Sequence, residues 1–556
     1  MNLHFNNLVE RCHPLAGCRP DVGKVFAIMR IIRIGDNAVR SLFEGSAILF
    51  LCLALPCHGG NAYGTYTVSL DAISEKLPAA TWDRGRLTLH SVVKNSNGTF
   101  SWGYDGSWPG NTVWGGPTGF ASISNDRNWT LYITAESNIM PEYSGFWSGT
   151  AGVPSSWTDF ENMIAWAVGQ LPPQVKAIEC ENEPTWGSGG RFATVGALSD
   201  WIRHIYNGVK MSSRPDLIVL TPSFWTCAPS QRGNFNTLAA YSWNGTNYTY
   251  DYCDGLAQHH YNDPGDTNSD GISWGSLATL YPTSYQDKRF TLWYEELEGW
   301  YANLRANPYV SSNKPVYFTE FGWYLWVWNG TIGYPDVTQA QQADHLAKAF
   351  AALTAEGVAV NLAFDMEGNL NNGRGVTSQD LSLLNTNLSI RPAWNTCNMA
   401  IAWLKNVGKG THSTTLINGY VLHMIDFGIG NVVWTENPTA FAYVAGHRLS
   451  TGQDEYGNPI TITGGNTVTI SESPVFLTYA QPQIASVNLS AGNVVMSGTN
   501  GTGNAIYYVL SSTNLALPVN QWYQIGTNQF DDFGAFSATN PITPAITEQY
   551  FRLRVP

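Results

Sequence analysis

Two glutamates stand where short apolar runs give way to loops. The run 178–184 carries Glu183 and is stopped by Pro184, and the run 315–323 carries Glu320. Each run is typical of a β-strand that delivers a carboxyl group to its tip. Two carboxyl groups held together can cleave a glycosidic bond, because one protonates the leaving oxygen while the other attacks the anomeric carbon or activates a water. A lone glutamate after a strand is usually an ordinary surface residue, so the hypothesis depends on the fold bringing the pair together.

The chain between residues 129 and 404 alternates between strand and helix patterns. Apolar runs predict six strands, near residues 131, 177, 218, 256, 317 and 361. Helical stripes separate them, and capping signals place two helix starts at Thr158 and Thr338. Gly357 is expected to end the second of these helices in a left-handed conformation. This alternation predicts parallel strands joined by helical crossovers.

Two further strands would complete an α/β barrel. The candidates, 66–70 and 86–90, lie in a region rich in Gly, Trp and Asn. Together the strands number eight, as in a closed (β/α)8 TIM barrel. An open doubly wound sheet is the alternative, but it would usually show a glycine-rich phosphate loop after an early strand, and none is present. In the barrel, Glu183 and Glu320 follow strands four and seven, at the carboxyl ends where barrel enzymes place their active sites.

The two motifs resemble a known pair of signatures. Residues 182–184 (Asn-Glu-Pro) and 319–323 (Thr-Glu-Phe-Gly-Trp) are similar to the two catalytic motifs of the clan A retaining glycoside hydrolases, which include families 5, 30 and 39. The resemblance implies a (β/α)8 barrel with Glu183 as general acid/base and Glu320 as nucleophile. It also implies that Asn182 hydrogen-bonds the sugar 2-hydroxyl, an interaction that strengthens toward the transition state.

The same resemblance gives roles to four more residues. His259 and Tyr261 end the sixth strand in a pattern similar to the clan's His-x-Tyr. Tyr261 would then donate a hydrogen bond to Glu320, and His259 would lie near the acid/base or the substrate; a purely structural hydrogen bond is the alternative for the histidine. Trp323 and Trp326 are candidates for stacking on sugar rings, with simple packing as the alternative.

Two features of many clan members are missing or displaced. No tryptophan stands at the tip of strand eight, where residues 363–367 read Ala-Phe-Asp-Met-Glu. An arginine commonly follows strand two, and His90 and Arg127 are the available candidates for the early positions. The motifs therefore indicate the clan without assigning a family.

Composition and charge limit the classes of partner and ligand that the protein is expected to bind. The net charge is −13 and no Lys/Arg-rich run occurs, so no nucleic-acid partner is expected. Aromatic residues in loop-like stretches favour a carbohydrate substrate. No cofactor and no metal are expected: residues 266–271 fit half of a calcium loop, but Leu277 stands where its bidentate glutamate belongs. Four cysteines lie outside the predicted leader: Cys180, Cys227, Cys253 and Cys397. Their spacing matches no zinc site, and the sequence does not decide whether they form disulfides or remain free thiols.

The chain divides into four predicted segments. Residues 1–62 are a leader, because arginines precede the apolar run 47–55 and small residues follow it, as in a signal peptide. The barrel occupies 63–407. From residue 408 the pattern changes to period two, which predicts a β-sandwich over 408–480 and a small C-terminal β module over 481–556. The sequences around 454–459 and 470–477 also resemble the sandwich that accompanies several clan A barrels.

The combined prediction is a secreted or periplasmic retaining β-glycoside hydrolase that cleaves a poly- or oligosaccharide, with no membrane span in the mature chain. The alternative is a non-catalytic carbohydrate-binding or cell-surface protein on a glycosidase-like barrel. Geometry discriminates between mechanisms, since retention requires carboxyl groups about 5–5.5 Å apart and inversion about 6.5–9.5 Å.

Overall fold

A computed structural model of the 556-residue chain describes most, but not all, of the sequence. The described residues are 28–32, 62–66, 78–89, 92–103, 113–114, 116–121, 123, 125–134, 154, 156–187, 191–261, 285–323, 325–328, 333–335, 337–364, 380–385, 389–417, 419–436, 439–542 and 548–555.

Eight parallel strands form the main sheet. Neighbours in the chain pair side by side, and the eighth strand pairs with the first. A bridge between Leu220 and Gly255 joins the fifth strand to the start of the sixth, so each strand has a partner on both sides. The strands are β2 (Ala62–Tyr66), β3 (Trp82–Leu87), β7 (Asn128–Ile133), β8 (Val175–Glu179), β9 (Ile218–Leu220), β10 (Leu256–Tyr261), β11 (Val316–Gly322) and β14 (Val360–Ala363).

The six strands predicted after residue 129 are confirmed, but the first two were placed wrongly. Both begin four residues earlier than expected, at Ala62 rather than Tyr66 and at Trp82 rather than Arg86. The second strand was hard to recognise in the sequence, because residues 83, 84 and 86 are charged and interrupt the apolar pattern typical of a buried strand. Residues 83–85 are nevertheless buried, and an arginine is tolerated at position 84 because it donates hydrogen bonds to Glu179 and Glu320.

Helices follow most of these strands and pack against one face of the sheet. Thr338 and Gln341 form the predicted capping box, and Gly357 ends that helix with φ 80°. The helix expected to start at Thr158 begins instead at Trp157, with the Ser156 side chain accepting from a backbone N–H. The helices are α1 (Gly116–Ala121), α2 (Trp157–Val168), α3 (Val195–Met211), α4 (Pro229–Ala240), α5 (Tyr285–Ala306), α6 (Gln339–Glu356) and α7 (Pro392–Leu404), with a 3₁₀ turn at Thr249–Tyr252.

Side chains on the two faces of the sheet form separate clusters. One buried cluster collects apolar side chains from six of the eight strands, among them Ala177, Tyr317 and Leu362. A much larger cluster lies between the sheet and the helices and includes Trp129, Ile178 and Phe318. Since successive strand residues point to opposite faces, neighbours such as Tyr317 and Phe318 serve different clusters.

Short strands outside the parallel order surround this sheet. These strands are β4 (Val92–Lys94), β5 (Phe100–Trp102), β6 (Val113–Trp114), β12 (Trp326–Trp328) and β13 (Gly333–Pro335). Val113 and Trp114 pair in parallel with Arg86 and Leu87 at the end of the second strand. Two antiparallel strand pairs, β4 with β5 and β12 with β13, form separate two-stranded sheets.

The strands after residue 408 build an antiparallel region with its own core. A five-stranded sheet and a two-stranded sheet enclose Leu422, Val433 and Leu477. This region and the parallel sheet fall into one compact unit, 61–445 with 449–479, in which Trp434 and Phe476 join the large apolar cluster. The strands are β15 (Thr411–Ile417), β16 (Tyr420–Asp426), β17 (Gly430–Thr435), β18 (Phe441–Val444), β19 (Leu449–Gln453), β20 (Thr467–Ile470) and β21 (Val475–Tyr479).

A second compact unit contains the C-terminal strands. Its two antiparallel sheets enclose Val494, Tyr507 and Phe551. One sheet includes β1 (Ile28–Ile32), which pairs with the last strand although it lies in the predicted leader. The other strands of that sheet are β24 (Ile506–Ser512), β25 (Tyr523–Gln529) and β27 (Glu548–Arg554). The second sheet contains β22 (Gln483–Ser490), β23 (Asn493–Thr499) and β26 (Phe536–Pro541), and a 3₁₀ turn lies at Val519–Gln521.

Among the described residues no helix has the length and apolar character needed to span a membrane. The four cysteines outside the leader are free and buried. The incomplete calcium loop at 266–271 and the apolar leader run 47–55 lie outside the described residues.

Candidate active site

The two predicted glutamates meet at the carboxyl ends of the parallel strands. Glu183 lies just past the fourth strand and Glu320 near the end of the seventh. His259, on the sixth strand, lies between them, with its Nδ1 2.9 Å from Glu183 Oε1 and 3.4 Å from Glu320 Oε2. A nitrogen of the histidine and one oxygen of each carboxyl group all lie within 4.8 Å of one another. The fold therefore brings together residues that are 76 and 61 positions apart.

Glu183 has an unusual backbone conformation. Its φ is 48°, in the left-handed region that L-residues other than glycine rarely adopt. The segment just past the fifth strand stabilises it, because the Glu183 N–H donates to the Ser223 carbonyl at 3.0 Å and the Ser223 N–H donates to the Glu181 carbonyl at 3.2 Å. Such conformations cost roughly 1–3 kcal/mol and concentrate at functional sites, where surrounding contacts hold them.

Two donors hold Glu320. The Tyr261 hydroxyl donates to Oε2 at 2.5 Å, as the resemblance implied, and Nη1 of Arg84 donates to Oε1. Burial raises the pKa of Glu320, while His259, Arg84 and the Tyr261 hydrogen bond act in the opposite direction. Since both donors stabilise the ionised carboxylate, they fit a group that must act as a nucleophile.

Arg84 is a charged site residue that the sequence did not predict. It is fully buried on the second strand, where its Nε and Nη2 each donate to a Glu179 oxygen at 3.0 Å. Its Nη2 also donates to Asn182 Oδ1 at 2.8 Å, and its guanidinium stacks on the Tyr132 ring with 4.3 Å to the centroid. Burial opposes its charge, but the Coulombic attraction of Glu179 and Glu320 raises the pKa of Arg84 overall.

The arginine expected after strand two thus lies within that strand. Of the two candidates named from the sequence, His90 lies outside the described residues. Arg127 directly precedes the third strand, at the amino end, and so lies away from the site. One signal in the sequence could have pointed to Arg84, because it stands inside a strand where its neighbours are buried. A guanidinium buried in this way requires acidic partners, and the two glutamate motifs supply them.

His259 is uncharged in this environment. Burial lowers its pKa to about 4, and Arg84 acts in the same direction, while Glu320 and Glu179 act against it. Near neutral pH the ring is therefore neutral and can donate from one nitrogen only. A proton on Nδ1 would serve the short contact to Glu183, leaving Nε2 3.9 Å from Glu179.

Glu183 has the environment of a general acid. Burial raises its pKa to about 7, although Arg84 and Arg191 lower it. Its side chain keeps 29% of its surface exposed, so it lies within reach of a ligand. Glu183 thus keeps its proton near neutral pH, whereas Glu320 accepts hydrogen bonds from two donors that favour its ionised form. Two carboxyl groups in such different environments can act as an acid and a nucleophile, respectively.

Asn182 is partly exposed and contacts the buried arginine. Its Oδ1 is occupied by Arg84, which orients the amide. No described residue is found to accept a hydrogen bond from its Nδ2. The amide nitrogen therefore faces no competing protein acceptor in the described part of the chain and is suited to donate to a ligand hydroxyl.

The expected aromatic platform is not Trp323. This side chain is completely buried and packs against Trp293 with ring centroids 5.1 Å apart, and against Phe290 and His345. The prediction of sugar stacking is wrong for Trp323, because the strand ends by turning the residue toward the helices. For Trp326 the structure describes only a backbone strand that pairs with residues 333–335, so the role of its side chain stays a prediction.

Trp225 is an aromatic residue near the site that the sequence analysis did not single out. It follows the fifth strand, is half-buried, and lies 6.4 Å from the Tyr261 ring by centroids. Its position after a strand that carries no catalytic motif explains why no pattern pointed to it.

A metal ion would find ligand atoms in the same place. Among the described residues, Glu183, His259 and Glu320 are grouped closely enough to bind one. The cation Arg84 already donates to Glu320, so a metal ion would compete with an existing positive charge.

Comparisons with known proteins agree with this geometry at the level of the fold. No protein-family model and no curated protein matches the sequence. Among solved structures, a family 39 glycoside hydrolase from the gut symbiont Bacteroides cellulosilyticus WH2 matches with a TM-score of 0.51 and 16% identity, over 76% of this chain and 81% of that one. A family 51 α-L-arabinofuranosidase from Bifidobacterium longum matches with a TM-score of 0.46 and 10% identity, over 75% and 95% of the two chains.

This chain therefore has the fold of a glycoside hydrolase. The resemblance inferred from its two glutamate motifs is confirmed at that level. At identities of 10–16% no family within the clan is assigned.

Proposed function

We propose that the protein is a retaining β-glycoside hydrolase that acts on a poly- or oligosaccharide by double displacement. The observation that carries the proposal is the closeness of the two carboxyl groups: one oxygen of Glu183 and one oxygen of Glu320 lie within 4.8 Å of each other, and both contact His259 Nδ1, which fits the short separation of retaining enzymes. Inverting enzymes need about 6.5–9.5 Å to admit a water between the carboxyl groups. The proposal includes a closed (β/α)8 barrel, supported by the partner that each of the eight strands has on either side.

In the first step Glu320 attacks the anomeric carbon as Glu183 gives its proton to the leaving oxygen. The glycosidic bond breaks and a glycosyl ester forms on Glu320. Arg84 and Tyr261 orient the attacking carboxylate, and the raised pKa of Glu183 keeps its proton available near neutral pH.

In the second step Glu183, now ionised, takes a proton from a water that attacks the anomeric carbon and releases the sugar. Esterification removes the negative charge of Glu320. Because the two carboxylates disfavour each other's ionisation, this loss lowers the pKa of Glu183 and converts it from acid to base.

Substrate recognition is assigned to Asn182 and to aromatic surfaces. Asn182 Nδ2 would donate to the sugar 2-hydroxyl, with Arg84 fixing the amide. Trp225 offers a partly exposed ring beside Tyr261, and such a ring can stack on a sugar face.

A panel of aryl β-glycosides tests this function. We expect the wild type to cleave at least one member with retention of anomeric configuration, followed by proton NMR of the first product. Glu320→Gln should abolish turnover. Glu183→Gln should lose activity most on substrates with poor leaving groups, because their departure needs its proton. On a substrate with a good leaving group, azide should restore turnover with a β-glycosyl azide as product, because azide attacks the glycosyl ester without a general base. Inverted product, or cleavage unaffected by Glu320→Gln, would refute the mechanism.

The same panel addresses the non-catalytic alternative. If the protein binds immobilised polysaccharide but cleaves no member of the panel, the result would favour a non-catalytic carbohydrate-binding role.

We also propose that the chain is exported. The arginines, apolar run and small residues of 1–62 support this. Mass spectrometry of the N-terminus of protein recovered outside the cytoplasm would test it. Removal of residues 1–62 would also remove the strand Ile28–Ile32, which pairs with Glu548–Arg554 in the full chain. An exported protein whose N-terminus lies upstream of residue 28 would therefore keep this strand and contradict the proposed processing.

A further inference from the structure

Arg191 lies beside the turn that carries Glu183. Its Nη1 donates to Glu181 Oε1 at 2.5 Å and to the Asn182 carbonyl oxygen at 3.1 Å. The Asn182 N–H donates to the same Glu181 oxygen at 3.0 Å. One guanidinium nitrogen thus binds both a side chain and the main chain of the two residues before Glu183.

The segment that carries Arg191 is attached to the residues after Glu183. The Arg191 N–H donates to Thr185 Oγ1 at 3.1 Å, and the Phe192 N–H donates to the Thr185 carbonyl at 3.0 Å. The Gly187 N–H donates back to the Phe192 carbonyl at 3.0 Å. Arg191 therefore connects the chain on both sides of Glu183.

This connection coincides with the unusual backbone of Glu183. A left-handed glutamate persists only where surrounding contacts fix it. Ser223, just past the fifth strand, fixes the turn through two backbone hydrogen bonds, and Arg191 fixes it from the loop side. Glu181 is fully buried, whereas the Arg191 side chain is 36% exposed, so the arginine reaches inward from the rim of the site.

We propose, on the basis of the function proposed above, that Arg191 is a positioning residue. By binding Glu181 and the Asn182 carbonyl, it fixes the left-handed turn that presents the Glu183 carboxyl to the leaving oxygen of the substrate.

The charge of Arg191 supplies a readout for this role. Arg191 lowers the pKa of Glu183, against burial, which raises it to about 7. Removing the arginine should therefore move that pKa upward. The other titratable groups around the two carboxyl groups remain in place in such a variant; they are Arg84 from the second strand, Glu179 and Glu181 from the fourth, His259 and Tyr261 from the sixth and Glu320 from the seventh.

Arg191→Met tests the proposal through the acid step. We expect kcat/KM for a phenyl glycoside to fall roughly 10- to 100-fold, the loss expected for one charge-assisted hydrogen bond. A dinitrophenyl glycoside needs no proton for departure and should be much less affected. The alkaline limb of the phenyl glycoside profile should move to higher pH. Arg191→Lys, which keeps the charge, should retain the wild-type limb. An equal loss on both substrates, or an unmoved limb in Arg191→Met, would overturn the proposal.

A double variant separates positioning from simple charge compensation. In Arg191→Met the buried Glu181 carboxylate loses a cation, which alone could destabilise the fold. Glu181→Gln combined with Arg191→Met removes that charge. We expect the double variant to recover the urea midpoint but not phenyl glycoside hydrolysis. Recovery of both would show that Arg191 is only a counter-ion. Arg305→Met, which removes a 60% exposed arginine elsewhere, is the matched control.

An infrared titration reads Glu183 without any substrate. The carboxyl band assigned by its absence in Glu183→Gln should titrate at higher pH in Arg191→Met than in the wild type. If the wild type cleaves no glycoside but this band shifts, the proposed function fails and the placement of Arg191 stands. An unshifted band overturns the proposal whether or not the protein is active.

Discussion

Replacing Glu183 by glutamine keeps the size of the side chain and removes its titrating proton. In the folded chain burial raises the pKa of this carboxyl group from 4.5 to about 7. The folded state therefore binds the proton more tightly than the unfolded chain does, so the contribution of Glu183 to stability is fully present below pH 4.5 and is lost as the pH rises to about 7. One pKa unit corresponds to about 1.4 kcal/mol, which gives a loss of about 3 kcal/mol. Partial exposure of the side chain makes this an upper value.

Urea unfolding of wild type and Glu183→Gln at pH 5, 6, 7 and 8 measures this contribution. The variant lacks the proton, so its advantage in unfolding free energy should grow across the series toward about 3 kcal/mol. His259 has the opposite dependence, because burial lowers its pKa to about 4 and stability falls as the pH drops below about 6.5. That dependence is common to both proteins and is removed by taking their difference. A difference that stays constant from pH 5 to pH 8 would show that the carboxyl group is not desolvated as described, and the acid role would lose its physical basis.

Three further predictions concern the partners of the site. Arg84→Met should lower the unfolding free energy by roughly 3–5 kcal/mol, because it leaves buried carboxylates uncompensated, and kcat/KM should fall with it; retention of both in urea and kinetic assays would contradict the ion-pair network. Tyr261→Phe should move the acid limb of kcat/KM to higher pH, since its hydrogen bond lowers the pKa of Glu320, and an unmoved limb would argue against that bond. Trp323→Phe should lower the urea midpoint and leave KM unchanged, whereas Trp225→Ala should raise KM for an oligosaccharide; the reverse result would restore Trp323 as the sugar platform.

Local sequence rules determined a large part of this protein. A capping residue and a terminal glycine act within one turn, which is why the helix from Gln339 to Glu356 was predictable at both ends. The buried strands after residue 129 were predictable because each is a short apolar run in the local sequence. The two glutamates were found because each lies in a short motif that can be recognised without knowing the fold, and Tyr261 was found by the same means.

Only the tertiary structure decided what surrounds those glutamates. Arg84 is 95 residues from Glu179 and 236 from Glu320, and no local pattern indicates that a charge in the second strand will meet acids on the fourth and seventh. The burial of Trp323 depends on which way the chain turns after a strand, and that direction is set by packing against helices. The left-handed backbone of Glu183 likewise depends on hydrogen bonds with Ser223, which lies just past the fifth strand and 40 residues along the chain. Sequence thus determined which carboxyl groups are proposed to carry the chemistry, and contacts between distant strands determined their charge, orientation and access.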